Sequence, residues 1–399
     1  MTGCAVTDAC GHPHPAGPGP KRPRIALVSR WAGGVTGTTT TLLEHAKRLS
    51  ARGWEVHVYA EKADAGRFSA AGAEAHILSR ARLAGPFKRR VFSWRVGREL
   101  AAERYDVVFG HGDGLTQDIL SLHNCIHAAH EAVHGRPPGL LAGAARMHAA
   151  QLKGRKFKRM IANSALMKDD VTRRWGVPAE LVTVIHPGHD PERFRPSDRE
   201  RMRGAMRERA GAASGDLLVG LITSGDFAKR NVAGFLEALR GLPPELKAKT
   251  KVLVVGQESR VGPYKRRAAD AGFAERAVFL PPEREVERFY HALDLYVHPA
   301  LFEEFGQSVQ EAMACGVPVL TSRRVGAAEL LGGNAEVLAA PETAALTRAL
   351  TELLLDPARR SRLAEAGRKA AAPNTWDANF AQTYAVIESV RAPHPPSPA

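Results

Sequence analysis

The chain alternates short apolar runs with longer segments in which apolar residues recur at helical spacing. Each run is five to eight residues long and is bounded by turn-forming or polar residues. Runs of this kind are typical of strands that are buried on both faces of a parallel sheet. We therefore expect strands at 25–29, 55–60, 106–111, 160–164, 217–224, 251–257, 278–282, 293–297 and 317–321.

The segments between these runs predict helices. Residues 38–52, for example, place Leu42, Ala46 and Leu49 on one stripe, and Gly53 follows as a stop signal. Strands that alternate with helices in this way form parallel sheets. Prolines and a glycine interrupt the alternation at 187–196, so we expect an α/β fold of two facing Rossmann-like domains joined by a hinge. The predicted divisions are a disordered tail at 1–22, a first domain at 23–188, a second domain at 189–372, a closing helix at 373–391 and a disordered tail at 392–399.

Composition narrows the class of protein. With 399 residues, the chain is long enough for two domains with full cores. Its four cysteines form no C-x2-C pair, which favours free thiols in a reducing compartment. No apolar stretch reaches the roughly 20 residues that cross a bilayer. Residues 1–20 are rich in Gly, Pro and His and lack the apolar core of a signal peptide, so we expect a cytoplasmic protein.

The strongest candidate site follows the run at 293–297. Glu303 lies in the loop after that predicted strand, and Glu311 lies in the helix that Gly306 opens. The free N–H groups and the dipole of a helix start, here Gly306, Gln307 and Ser308, favour a bound phosphate. Carboxylates accept hydrogen bonds from sugar hydroxyls. The stretch therefore predicts a nucleotide-sugar site, although two surface glutamates in an ordinary strand–helix–strand unit are the alternative.

Two further loops at the ends of predicted strands face the same crevice. Lys229 and Arg230 follow the run at 217–224 and can neutralise a diphosphate leaving group, although solvated surface cations are the usual alternative. Gly33 and Gly34 follow the first strand, where α/β sheets commonly bind ligands. That loop lacks the lysine of a P-loop and the spacing of a dinucleotide fingerprint. Taken alone, a glycine-rich turn is more often an ordinary turn than a ligand site.

Histidine and aspartate cluster between 111 and 127. We expect His111, Asp118 and His123 to contact the acceptor, with His127 nearby; solvent-facing polar groups at a strand end are the alternative. The chain has neither an H-E-x-x-H nor a D-x-D motif, so we expect no metal site and no cofactor other than the donor substrate.

Glu303 and Glu311, with the following run 312–319, resemble the donor-site signature of retaining family 4 glycosyltransferases of the GT-B fold. The resemblance implies an NDP-sugar donor, with Glu303 on the donor sugar and Glu311 on the ribose. It also implies that the Gly33–Gly34 loop approaches the donor phosphate, and that a helix beginning at 375–376 crosses back to the first domain. Glu304 departs from the family pattern, which often has glycine there.

Other stretches are similar to lipopolysaccharide core glucosyltransferases: 226–230, 254–257 and 297–300. The family carries an arginine and, five residues later, a lysine on the diphosphate. Here Gly225 takes the arginine position and Arg230 the lysine position, so one of the two cations is displaced. The resemblance implies a glycan or glycolipid acceptor in cell-envelope synthesis. A non-hydrolysing NDP-sugar epimerase of the same fold is an alternative.

Charge is unevenly distributed along the chain. The net charge is +14, and residues 1–190 hold 27 Lys and Arg against 16 Asp and Glu. Nucleic-acid binding is one interpretation of this excess, but no known module is present and aromatic residues for base stacking are few, so we expect no nucleic-acid partner. The cations at 88–98 and 153–159 instead suggest an anionic acceptor and peripheral contact with the inner face of an anionic membrane. Solvated cations on a helix that packs on the sheet are the alternative.

Overall fold

The computed structural model describes residues 22–34, 36–78, 87–139, 142–334 and 336–391. The predicted disordered tails, apart from Arg22, lie outside the described residues. The strands are β1 (Arg24–Val28), β2 (Trp31–Ala32), β3 (Glu55–Ala60), β4 (Lys62–Ala63), β5 (Ala73–Ile77), β6 (Val107–Gly110), β7 (Ile119–Ser121), β8 (Arg159–Ala162), β9 (Val182–Val184), β10 (Leu217–Gly225), β11 (Thr250–Gln257), β12 (Ala277–Leu280), β13 (Leu295–His298) and β14 (Val319–Thr321).

The helices connect these strands. They are α1 (Gly37–Ala51), α2 (Ala65–Ala70), α3 (Lys88–Ala102), α4 (Ile126–His134), α5 (Gly143–Gly154), α6 (Ala165–Trp175), α7 (Arg199–Arg209), α8 (Val232–Arg240), α9 (Pro244–Lys249), α10 (Gly262–Asp270), α11 (Glu287–Ala292), α12 (Gln307–Ala314), α13 (Thr343–Leu355), α14 (Pro357–Ala371) and α15 (Trp376–Val390). Single-turn or slightly longer 3₁₀ helices occur at Ala179–Leu181, Pro196–Asp198 and Gly326–Leu331.

Two parallel sheets organise the molecule. The first has seven strands in the order β5-β3-β1-β6-β7-β8-β9, and the second has five in the order β12-β11-β10-β13-β14. The α/β class with two Rossmann-like domains is therefore confirmed, and the predicted hinge lies between β9 and β10. Both faces of the first sheet are covered, which explains its apolar runs: Leu27 and Val58 pack in one core, and Ala26 and Tyr59 in another.

All nine apolar runs contain strands, but β2, β4, β5, β7 and β9 lie outside these runs. β5 is an edge strand in which only Ala73 is buried, so its sequence carries a weak apolar signal. β7 has three residues, which is too short for a period to stand out.

The last helix returns to the first domain, as expected. Thr375 caps α15 by accepting a hydrogen bond from the Ala378 N–H. Phe380 and Ile387 then pack in the core of the first domain. The Asn379 Oδ1 lies 2.9 Å from the His45 Nε2 on α1. Among the described residues, no helix is long and apolar enough to cross a membrane.

Candidate donor site

The loop between β13 and α12 forms the centre of the candidate site. Glu303 forms a parallel bridge with Val325, and its N–H donates to the Arg324 carbonyl at 2.8 Å. Gly306 then caps α12 with a φ of 92°, a left-handed conformation that strains other residues. The backbone of the loop is thus fixed at Glu303, and α12 begins four residues later.

Glu303 is a buried carboxylate that carries charge. Its Oε2 lies 2.6 Å from the Arg230 Nε and 3.7 Å from the His298 Nε2. Burial favours the neutral acid, but the charges of Arg230 and Lys229 outweigh it and lower the pKa of Glu303 to about 2. Burial also lowers the pKa of His298, so a neutral imidazole faces an ionised carboxylate.

Lys229 pairs with Glu304. The Lys229 Nζ donates to the Glu304 Oε2 at 2.6 Å, and the Glu304 side chain is almost fully buried. The other carboxylate oxygen, Oε1, accepts from the Cys125 N–H at 2.8 Å, just before α4 of the first domain. Glu304, where the family often has glycine, is therefore both the counter-ion of Lys229 and a contact between the domains.

Glu311 lies on the second turn of α12, where the sequence predicted it. The Tyr290 hydroxyl donates to the Glu311 Oε2 at 2.8 Å. Burial raises the pKa of Glu311, and the Tyr290 hydrogen bond partly offsets this. The nearby Tyr296 hydroxyl donates to the Ile222 carbonyl at 2.9 Å and lies 2.8 Å from the Ser308 Oγ.

The start of α1, just after the glycine loop, reaches α12 from the first domain. Gly33 and Gly34 precede α1, and a Cβ built on Gly37 at its start would lie 2.4 Å from the Gln307 Oε1. The amino ends of α1 and α12 therefore meet across the crevice. Two helix starts that face each other concentrate N–H groups and positive potential where a phosphate is expected.

Two of the three predicted acceptor residues lie together. The His111 Nδ1 is 3.0 Å from the His123 Nε2, and both residues follow the carboxyl ends of their strands. Burial lowers the pKa of both, that of His123 to about 4, so both are neutral at pH 7. The buried His111 Nε2 has no partner among the described residues. His127 lies elsewhere, its ring centroid 4.8 Å from that of Trp175.

Asp118 does not join these histidines, which corrects the acceptor prediction. Asp118 precedes β7, whereas His111 and His123 follow their strands. Because the strands are parallel, Asp118 lies at their amino ends and the histidines at their carboxyl ends. Its Oδ2 accepts from the Val108 N–H at 2.8 Å and its Oδ1 lies 2.9 Å from the Lys158 Nζ. These contacts give Asp118 a structural place in the sheet.

Sequence reasoning assigned no role to His298, Tyr290 or Tyr296, all of which line the site. His298 ends β13 and is 1% exposed. A polar residue at the carboxyl end of a buried strand, five positions before Glu303, was the available signal. Tyr290 gave no signal, because its contact with Glu311 depends on how α11 packs on α12.

Family comparison accounts for this arrangement. Residues 35–193 match the model of Glycosyltransferase Family 4, and residues 212–370 match that of Glycosyl transferases group 1. The chain belongs to the family 4 glycosyltransferases of the GT-B fold. This glycosyltransferase is 27% identical to the D-inositol 3-phosphate glycosyltransferase of Streptomyces coelicolor, over 90% of this chain and 89% of that protein.

A second relative is matched over less of its length. Identity with the D-inositol 3-phosphate glycosyltransferase of Streptomyces bingchenggensis is 31%, over 65% of this chain and 60% of that protein. Among solved structures, WaaG, a glycosyltransferase involved in lipopolysaccharide biosynthesis, has a TM-score of 0.77 at 22% identity, covering 91% of this chain and 99% of that one. Anabaena HepE, solved with UDP-glucose, has a TM-score of 0.72 at 19% identity, covering 92% and 99%. Identities of 19–22% with these solved structures show the fold alone.

Proposed function

We propose that this glycosyltransferase moves a sugar from an NDP-sugar to an anionic glycan, glycolipid or polyol acceptor with retention of the anomeric configuration. The observation that carries the proposal is the ionised, buried Glu303 between Arg230 and His298, beside the start of α12. Solved complexes of Anabaena HepE with UDP-glucose support a nucleotide-sugar donor.

The donor diphosphate binds at the amino end of α12 and on Lys229 and Arg230. Both cations are paired with glutamates, so they exchange a carboxylate for phosphate oxygens when the donor arrives. Glu311 accepts hydrogen bonds from the ribose hydroxyls, and Glu303 from the donor sugar. With two protein cations at hand, the diphosphate is held without a divalent metal.

Transfer takes place on one face of the sugar. The bond from the anomeric carbon to the diphosphate breaks while the acceptor oxygen forms its bond on the same side, and a leaving phosphate oxygen takes the acceptor proton. The transition state places growing negative charge on the departing diphosphate and positive charge on the sugar. Lys229, Arg230 and the α12 N–H groups stabilise the first charge, and Glu303 stabilises the second.

The acceptor binds on the first domain beside His111, whose buried Nε2 has no hydrogen-bond partner in the part of the chain that the structure describes. The Streptomyces relatives are named for inositol 3-phosphate, which is anionic, and WaaG is involved in lipopolysaccharide biosynthesis. An anionic acceptor agrees with the positive charge of residues 1–190.

We also propose peripheral binding to anionic membrane through α3. Phe87 and Trp94 are 53% and 60% exposed, and Arg98 and Arg146 stack on Trp94 and Phe87, respectively. Phe92 and Val96 pack inward instead, so the aromatic rings that face solvent are available to an interface. Arg89 pairs with Asp113 and therefore does not contribute to the proposed membrane contact.

The test is NMR of the purified enzyme with UDP-glucose, GDP-mannose or other NDP-sugars, with and without an inositol phosphate or a phosphorylated glycan. Release of NDP and an α-linked product from an α-donor, unchanged by Mg²⁺, supports the proposal. Epimerised donor in the absence of acceptor supports the epimerase alternative. An inverted product contradicts retention.

A further inference from the structure

A second cluster of ligand-type side chains lies on the edge of the first sheet, away from the donor crevice. Strands β3 and β5 pair so that His57 lies opposite Glu74 and Tyr59 opposite His76. Because side chains alternate between faces along a strand, His57, Glu74 and His76 all emerge on the same face. We propose that these three residues bind a transition-metal ion, Zn²⁺ in preference to Mg²⁺ or Ca²⁺.

The donor atoms are already close together. The His57 Nδ1 lies 2.9 Å from the His76 Nε2, and the carboxylate of Glu74 lies 3.8 Å from each histidine. Two imidazoles and a carboxylate are a common Zn²⁺ set, and bonds of about 2.0–2.1 Å to the nitrogens place them about 3.3 Å apart in a tetrahedron. The rings need to separate by only a few tenths of an ångström. Glu74 is 68% exposed, so its carboxylate can swing inward.

The surroundings orient the histidines for this purpose. The His57 Nε2 lies 2.8 Å from the Glu55 Oε1. The Arg24 Nη2 also approaches this nitrogen, at 3.3 Å, but the Glu55 carboxylate is closer and only accepts. The Nε2 therefore donates its proton to Glu55, and the Nδ1 presents its lone pair to His76 and Glu74. The His76 ring stacks on Tyr59 at 4.6 Å. A carboxylate that holds the far nitrogen of a histidine is the usual outer partner of a zinc ligand.

The local charge also favours a divalent cation. Arg24 pairs with Glu55 at 2.8 Å and with Glu103 at 2.6 Å, and Glu74 adds a further carboxylate. Two carboxylates thus share one guanidinium, and the carboxylate of Glu74 lies on the other side of the histidine pair, 3.8 Å from each ring. A bound cation balances this excess of negative charge.

The consequence is stability at a sheet edge. β5 is the edge strand of the first sheet, and β3 is its partner. His57 lies in the amino-terminal half of β3, whereas the donor crevice lies at the carboxyl ends of the strands. The ion joins the edge strand to the sheet and takes no part in sugar transfer.

The experiment uses the full-length chain stripped with chelator. We expect Zn²⁺ to bind in calorimetry and raise the Tm, and Co²⁺ to give the strong visible bands of a tetrahedral site. His76→Ala should lose the Co²⁺ bands, Glu74→Gln should bind at least tenfold more weakly, and Glu55→Gln about 10–100-fold more weakly. His134→Ala, which alters the His130–His134 pair with ring centroids 4.4 Å apart, should bind like the wild type.

Comparing the wild type with His76→Ala cancels the metal binding of ligands outside the proposed site. Cys4, Cys10, His12 and His14 of the tail offer metal ligands too, and they are present equally in both proteins. Equal Zn²⁺ affinity and equal Co²⁺ spectra in the wild type, His76→Ala and Glu74→Gln overturn the proposal. In that case the short His57–His76 contact is a hydrogen bond alone. Glu74→Gln alters an exposed side chain, so it tests the site even where His76→Ala folds poorly.

Discussion

The Lys229 Nζ donates a hydrogen bond to the Glu304 Oε2 at 2.6 Å, while the other oxygen of Glu304 accepts from the Cys125 N–H across the domain boundary. One buried carboxylate therefore neutralises a cation of the donor site and joins the two domains. A donor diphosphate must compete with Glu304 for Lys229, because one ammonium group makes its strongest contact with one anion at a time.

Glu304→Gln should tighten the binding of UDP by about tenfold, which corresponds to about 1.4 kcal/mol. The amide keeps an oxygen for the Cys125 N–H but no longer holds Lys229 by charge. Calorimetry with UDP measures the change. Glu285→Gln, at a side chain that is 58% exposed, serves as control and should leave the affinity unaltered. Weaker binding in Glu304→Gln would contradict the competition between glutamate and phosphate.

Substitutions of Glu303 and Glu311 should change different kinetic constants. Glu303→Ala removes a charge that acts on the transition state, so kcat should fall by about 10²–10³-fold. Glu311→Ala removes hydrogen bonds to the ribose, so the donor KM should rise by about tenfold with a smaller change in kcat. Steady-state kinetics with the donor found by NMR distinguishes them. Near-normal turnover in both variants would refute the site assignment.

Arg230→Met should destabilise the protein in a pH-dependent way. The pKa of Glu303 is lowered on folding, to about 2. Its charged form therefore contributes stability that is fully present above the unfolded pKa of about 4.3 and is lost as the pH falls toward 2. Removing its ion-pair partner should cost about 3 kcal/mol at pH 7.

Thermal unfolding of both proteins at pH 7 and near pH 3 provides the measurement for Arg230→Met. The difference in Tm between the wild type and the variant should narrow at the lower pH. Without Arg230, the buried Glu303 takes up a proton there and no longer carries an unpaired charge. Arg288→Met, at an exposed pair with Glu285, is the matched control and should show little change at either pH. A Tm difference that does not depend on pH would show that Glu303 is not the group affected.

Membrane binding should depend on α3. Lys88→Glu, Arg90→Glu and Trp94→Ser in one chain remove two cations and an exposed ring, and leave the Arg89–Asp113 pair intact. Co-sedimentation with anionic liposomes should fall strongly, and wild-type binding should weaken as salt rises from about 0.1 to 0.5 M. Lys265→Glu with Arg266→Glu on α10 changes the charge equally in the second domain and should bind normally. Equal binding to neutral liposomes would refute the membrane proposal.

The sequence by itself determined the fold class and the position of the donor-site residues along the chain. Apolar runs at 25–29 and 55–60 became neighbouring strands because a strand covered on both faces must be apolar throughout. Glu303, Gly306 and Glu311 were found because a strand end, a helix start and the next turn are separated by fixed numbers of residues. Relations of this kind are local, so their spacing in the chain specifies their geometry.

The tertiary structure decided which side chains meet. Lys229 pairs with Glu304, and Arg230 pairs with Glu303. The sequence could not distinguish this from the opposite pairing, because the two cations are adjacent and so are the two glutamates. Asp118 and His123 are close in sequence but lie at opposite ends of β7, since Asp118 precedes that strand and His123 follows it. Such pairings depend on how α12, β10 and the first domain pack together, and packing brings together residues whose separation along the chain carries no information about distance.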